Sequence, residues 1–104
     1  PIRQIAAYAT TKGAVQALTR ALAIEYAAFG VRVNTVSPGF VETAMTARIT
    51  RNPLMSKGLL DKAPMRRYGL PIEIAKAALF FASDDSSYCT GADLVVDGGM
   101  AAGL

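Results

Sequence analysis

The sequence predicts an α/β fold, the C-terminal part of a doubly wound parallel sheet with two strands and their flanking helices present. Three observations carry this. A long alanine-rich helical pattern runs into a β-branched run. A second helical pattern, opening on Pro71, runs into a second short apolar run. Both apolar runs end in turns rich in proline or glycine. Two strands with apolar faces call for further strands beside them. The chain therefore reads as part of a larger single domain.

Residues 4–29 read as one helix. Apolar residues recur at Val15, Leu18, Leu22 and Tyr26, and alanines fill other faces. Only Gln16, Arg20 and Glu25 interrupt the apolar surface of its second half. A helix apolar on several sides needs burial on several sides, against a sheet and against a partner subunit. Gly30 stands where a left-handed C-terminal cap belongs.

The run from Val31 to Val36 reads as a strand, ended by Ser37-Pro38-Gly39. In open α/β sheets, ligands bind just outside the carboxyl ends of the strands, so the segment after Val36 is a candidate ligand edge. Residues 40–68 form a long connection with Met45, Met55 and Met65, and with short helical stretches expected around 44–51 and 54–62. Connections of this length are usually functional or mobile, and flexible thioethers suit either a lid over an apolar substrate or the ordinary filling of a core. Pro71 opens the next helix, to about Ser83, with Ile72, Ala75, Leu79 and Ala82 as its stripe. A polar turn at 84–87 precedes the last strand, 93–96, closed by Asp97-Gly98-Gly99 and parallel to the first.

Composition removes several function classes. The 104 residues make one small domain; they are 52% hydrophobic and carry a net charge of +3. The basic residues form no run and no aromatic interleaving, so no nucleic-acid partner is expected. No apolar run reaches membrane-span length, so no membrane partner is expected. There is no histidine and one cysteine, Cys89, so a zinc site and a histidine-based triad within this chain are excluded. The lone cysteine fits a reducing, cytoplasmic setting. The chain begins at Pro1 with no cap before its helical pattern, as a chain begun midway does. Removal of an initiator methionine would give the same start.

The candidate chemistry lies in Tyr8-Ala9-Thr10-Thr11-Lys12. On a helix, Tyr8 and Lys12 share one face, one turn apart. A cation ~4 Å from a phenol favours its phenolate by up to ~4 kcal/mol at an effective dielectric of ~20, before solvation is counted. The pair could serve as a general acid/base. Alone it is a common coincidence of an amphipathic helix; its company downstream makes it specific.

That company is Arg32-Val33-Asn34-x-Val36-x-Pro38-Gly39-x-Val41-x-Thr43, then Arg67-x-Gly69-x-Pro71-x-Glu73-Ile74-Ala75, then Ala82-Ser83-Asp84, Thr90-Gly91 and Val96-Asp97-Gly98-Gly99. With Tyr8-x-x-x-Lys12 these resemble the C-terminal half of a short-chain dehydrogenase/reductase, across essentially the whole chain. The resemblance, of the 3-oxoacyl-carrier reductase or hydroxysteroid dehydrogenase kind, implies a Rossmann-type sheet whose N-terminal dinucleotide-binding half is absent. Residues 1–104 would then be the catalytic and substrate-binding part of one such domain, with a lid-like segment at about 40–68. It implies NAD or NADP as cofactor and a small-molecule alcohol or ketone as substrate. Tyr8 would be the acid/base, and Lys12 would support it and bond the nicotinamide ribose. Pro38, Gly39, Val41 and Thr43 would hold the carboxamide. It also implies a homodimer or homotetramer formed through helix 4–29.

The family's catalytic serine and glycine-rich loop have no counterpart here; Ser37, Ser56, Ser83, Ser86 and Ser87 do not match that serine. Ile72 replaces an acid found in many relatives, at the surface. The 104 residues alone are accordingly expected to be inactive. The alternative is a non-catalytic remnant or an interaction module built on the first helix.

Overall fold

The computed structural model describes residues 2–44, 47 and 51–103. The expected helix at 44–51, and Met45 with it, lie largely outside the described residues. Elsewhere the elements follow in the order expected: helix α1 (Ile2–Tyr26) with a 3-10 turn (Ala27–Phe29), strand β1 (Thr35–Pro38), helix α2 (Pro53–Leu60), helix α3 (Pro71–Ala82), a 3-10 turn (Asp84–Ser86) and strand β2 (Asp93–Val96).

Gly30 ends the first helical unit with φ of 74°, its N–H bonded to the Ala27 carbonyl at 3.0 Å, as the cap requires. Asn52 caps α2, its Oδ1 accepting from the N–H groups of Leu54 and Met55 at 3.1 and 3.3 Å. Pro71 opens α3, and Glu73 reaches back to accept the Leu70 N–H at 2.9 Å.

β1 and β2 are parallel, with Thr35 opposite Asp93 and Pro38 opposite Val96. The first strand is shifted from its expected place at 31–36. Residues 33 and 34 do face the segment before β2, but they bond to it mainly through side chains. Val33 N–H donates to Thr90 Oγ1 at 3.1 Å, and the Asn34 amide bridges the Cys89 carbonyl and the Ala92 N–H at 3.0 Å each. A regular ladder begins only at Thr35, whose N–H meets the Ala92 carbonyl at 2.9 Å. The ladder runs through Pro38 because Thr35 and Gly39 donate toward β2, which leaves the proline nitrogen on the other edge, where its missing proton costs this pair nothing.

α1 buries Thr19 and Ala23 beside its predicted apolar stripe, whose Val15 lines the gap facing β1 and whose Leu22 is half-buried. Val15, Leu18 and Tyr26 are about half exposed, while Thr19 and Ala23 are buried. The Thr19 hydroxyl donates to the Val15 carbonyl at 2.8 Å, so its 2.7 Å bond to Thr35 Oγ1 has Thr35 as donor. Polar residues at helical spacing thus dock α1, because strand residues of matching chemistry face them. The buried apolar residues among those described are alanines, at 23, 63 and 77.

Segment 40–68 leaves and rejoins the body at one neck. Val41 forms a parallel bridge with Gly69, and the Gly69 N–H and carbonyl bond Phe40 and Glu42 at 2.9 Å each. No helix among the described residues is long and apolar enough to cross a membrane.

Candidate active site

Tyr8, Lys12, Val15 and Gln16 sit at successive helical positions on one face of α1. Together with Thr35, Val36, Ser37 and Pro38 they line a cavity of about 180 Å³. One wall is helix, the other is β1 up to its carboxyl end. Tyr8 is 65% exposed and Lys12 is half-buried, so the phenol is reachable from solvent. The cavity therefore offers a proton-transferring phenol and a cation on one side, with hydroxyl and amide groups around them.

The other residues singled out in the sequence divide. Pro38 lines this cavity with Tyr8 and Lys12; Gly39, Val41 and Thr43 do not. Gly39 is committed to the fold: its N–H bonds the Val96 carbonyl at 3.0 Å, and a Cβ placed on it would lie 2.7 Å from Asp97 Cβ and 2.8 Å from Asp97 Cα. Val41 sits in the neck beside Gly69, and Thr43 is exposed just beyond it.

Gln16 and Ser37 are cavity residues that reading the sequence did not select. Both are tied to Asp93 at the start of β2. Gln16 Nε2 donates to its Oδ2 at 2.9 Å, and Ser37 Oγ to its Oδ1 at 2.7 Å. The available signal was spacing: Gln16 stands four residues after Lys12, and Ser37 alternates with Thr35 on the strand.

A second, open hollow of about 700 Å³ lies past the carboxyl end of β2, walled by Phe40, Met65, Arg67, Glu73 and the 95–99 segment among others. Its charges are matched internally. Arg67 holds both Glu73 oxygens, at 2.7 and 2.9 Å. Those bonds, joined by the Leu70 N–H, bring the Glu73 carboxyl down to about 2. Asp97 accepts from the N–H groups of Gly99 and Ala101 at 2.9 and 2.8 Å.

Comparison with known proteins accounts for nearly the whole chain. A family model described as enoyl-(acyl carrier protein) reductase matches residues 1–101. The galactitol 2-dehydrogenase of Cereibacter sphaeroides is 55% identical over 92 residues, 88% of this chain and 36% of that protein. The sorbose reductase of Schizosaccharomyces pombe is 50% identical over 97 residues, 93% of this chain and 37% of that protein. Among solved structures, 4-hydroxyisoleucine dehydrogenase complexed with NADH superposes with a TM-score of 0.89 at 32% identity, over 95% of this chain and 41% of that one. A gluconate 5-dehydrogenase from Burkholderia cenocepacia, in complex with NADP and tartrate, gives 0.84 at 35%, over 93% and 38%. The chain thus spans well under half the length of the proteins it matches, and its two strands and flanking helices are part of a Rossmann-type sheet. Matched by the family model over residues 1–101 and by such relatives over most of its length, this chain belongs to the short-chain dehydrogenase/reductase family.

Proposed function

We propose that this chain supplies the proton-transferring and substrate-facing part of an NAD(P)-dependent oxidoreductase that interconverts an alcohol and a ketone. The observation that carries the reading is the single cavity wall shared by Tyr8 and Lys12 at the carboxyl end of β1. Tyr8 gives its phenolic proton to the substrate oxygen during reduction and takes it back during oxidation. Lys12 holds positive charge beside that oxygen and bonds the nicotinamide ribose. The nicotinamide cofactor, when bound, supplies or accepts the hydride. Pro38, Gly39, Val41 and Thr43 contribute to holding its carboxamide. The Gly39 N–H is already spent on Val96, so Gly39 does not donate to the carboxamide.

The cavity fits one end of such a cofactor. At about 180 Å³ it is smaller than the ~300–1,000 Å³ typical of whole-ligand pockets. The sequence also holds no glycine-rich phosphate loop. Residues 1–104 on their own therefore bind NADH and NADPH too weakly to measure by nicotinamide fluorescence; tight binding overturns this division of labour.

Polyols and ketoses are the first substrates to try, a choice supported by the names of galactitol 2-dehydrogenase and sorbose reductase. The test is cofactor turnover by the protein that carries this chain, with galactitol and sorbose, against a Lys12→Ala variant. Turnover that Lys12→Ala lowers supports the reading, whereas undiminished turnover by the variant contradicts it. Segment 40–68 acts as a lid over the substrate, a reading supported by its length and by its departure and return at one neck, Val41–Gly69. The outward stripe of α1 joins two copies of the protein.

A further inference from the structure

We propose that Asp93 is a positioning residue for the Tyr8–Lys12 site, acting through Gln16 and Ser37; the inference rests on the functional reading above. Asp93 does not line the cavity, but both of its carboxylate oxygens hold groups that do. Gln16 Nε2 is held by Oδ2 at 2.9 Å and Ser37 Oγ by Oδ1 at 2.7 Å. Gln16 belongs to the helix wall and Ser37 to the strand wall. One anion on β2 therefore sets the spacing between the two walls.

The manner in which α1 is docked explains why this matters. Its sheet-facing contacts include two side-chain hydrogen bonds, Gln16 to Asp93 and Thr19 to Thr35, beside the buried Ala23. Apolar packing tolerates small slides, whereas a hydrogen bond has a preferred length and direction. Gln16 lies one turn beyond Lys12 and two beyond Tyr8, on the same face. A slide or rotation of α1 released at Gln16 is passed along a rigid helix to the phenol. Proton transfer is sensitive to such displacement, and ~1 Å of misplacement can cost ~100-fold in rate. Because the site is partly open to solvent and Thr19–Thr35 remains as a second tie, a smaller effect is expected.

The carboxylate is replaceable in one specific way. An Asn side chain at this position can accept the Ser37 hydroxyl proton and donate its own N–H to Gln16, once the Gln16 amide turns over to present oxygen. Asp93→Asn therefore keeps both ties, and Asp93→Ala keeps neither.

The experiment compares the two variants in the protein that carries this chain, by steady-state kinetics and by amide hydrogen exchange across residues 12–19. Asp93→Ala is expected to lower kcat ~10-fold, with substrate KM changed less than ~3-fold, because the loss falls on the transition state. Exchange at 12–19 is expected to speed up in Asp93→Ala, and Asp93→Asn is expected to stay within ~3-fold of the parent kcat and to restore protection. Parent-like kcat in Asp93→Ala, unchanged exchange, or an Asn variant no better than Ala overturns the inference. Should Asp93→Ala not fold, Gln16→Met cuts the same tie from the helix side, with the same fall expected and unchanged kcat overturning it. Normal turnover by Tyr8→Phe overturns the functional reading instead, and the exchange measurement decides on Asp93 without reference to turnover.

Discussion

Arg32 donates to Ser86 Oγ at 2.9 Å, and that serine is 1% exposed. The same guanidinium reaches the carbonyls of Phe81 at 2.9 Å and of Ser83 and Cys89 at 3.2 Å each. One side chain, placed just before β1, therefore gathers the carboxyl end of α3 and the turn leading to β2. Cations suit this position, where helix carbonyls carry partial negative charge. A planar fork serves several acceptors at once, which a single ammonium does not.

Replacing Arg32 with Met should leave the Phe81 and Ser83 carbonyls only the one Ser86 hydroxyl proton between them as a side-chain donor, while the Cys89 carbonyl keeps Asn34. Hydrogen bonds to charged groups are worth ~1.5–3 kcal/mol each, but they are not additive and the cluster is only part-buried, so a loss of ~2–4 kcal/mol is expected. Arg32→Lys should recover less than half of it. Denaturant midpoints of the two variants check this.

Gly39 is held against Asp97 more closely than any other side chain would allow. Gly39→Ala should push Pro38 and the neck of segment 40–68 away from β2, at a cost of ~1–3 kcal/mol. The expected result is a lower denaturant midpoint, together with reduced activity in the protein that carries this chain.

The Arg67–Glu73 pair predicts a pH dependence. Bonds from Arg67 and the Leu70 N–H depress the Glu73 carboxyl from 4.5 to about 2. A group with a lowered folded-state value contributes stability above its unfolded value and loses it as the pH falls through the folded one. The contribution of Glu73 is therefore complete above pH 4.5 and fades between 4.5 and about 2. Both partners are substantially exposed, so the effect is small and falls with added salt. Comparing Tm against pH for the parent and Glu73→Gln checks it, the parent losing more than the variant across that window.

The outward stripe of α1 predicts association. Leu18 is 58% exposed, with half-exposed Tyr26 about two turns further on, apolar surface at helical spacing. Leu18→Glu should shift the protein that carries this chain toward monomer in sedimentation velocity and lower its Tm, because association with a second copy stabilises the folded chain.

Much of this was legible in the sequence where the signals are local. Gly30 as a cap, Pro71 as a helix start and 93–96 as a strand each depend on a few neighbouring residues, and Tyr8 and Lys12 share a face by spacing alone. What escaped depends on distant partners. The start of β1 moved because Asn34 finds Cys89 and Ala92, some 55 residues away. The docking contacts of α1 are hidden in the sequence because Gln16 reads as an interruption of the apolar surface, and nothing local marks Thr19, until Asp93 and Thr35 stand opposite them. Gly39 reads as a turn residue and proves to be a point of close approach, which only the Asp97 backbone could disclose.

The most direct test of the account is the single-oxygen change Tyr8→Phe in the protein that carries this chain, with the rate of NAD(P)H-dependent ketone reduction as the readout. Loss of the proton donor should lower kcat by at least ~100-fold while the melting temperature stays within a few degrees of the parent. Reduction at the parent rate by the phenylalanine variant would contradict the central claim.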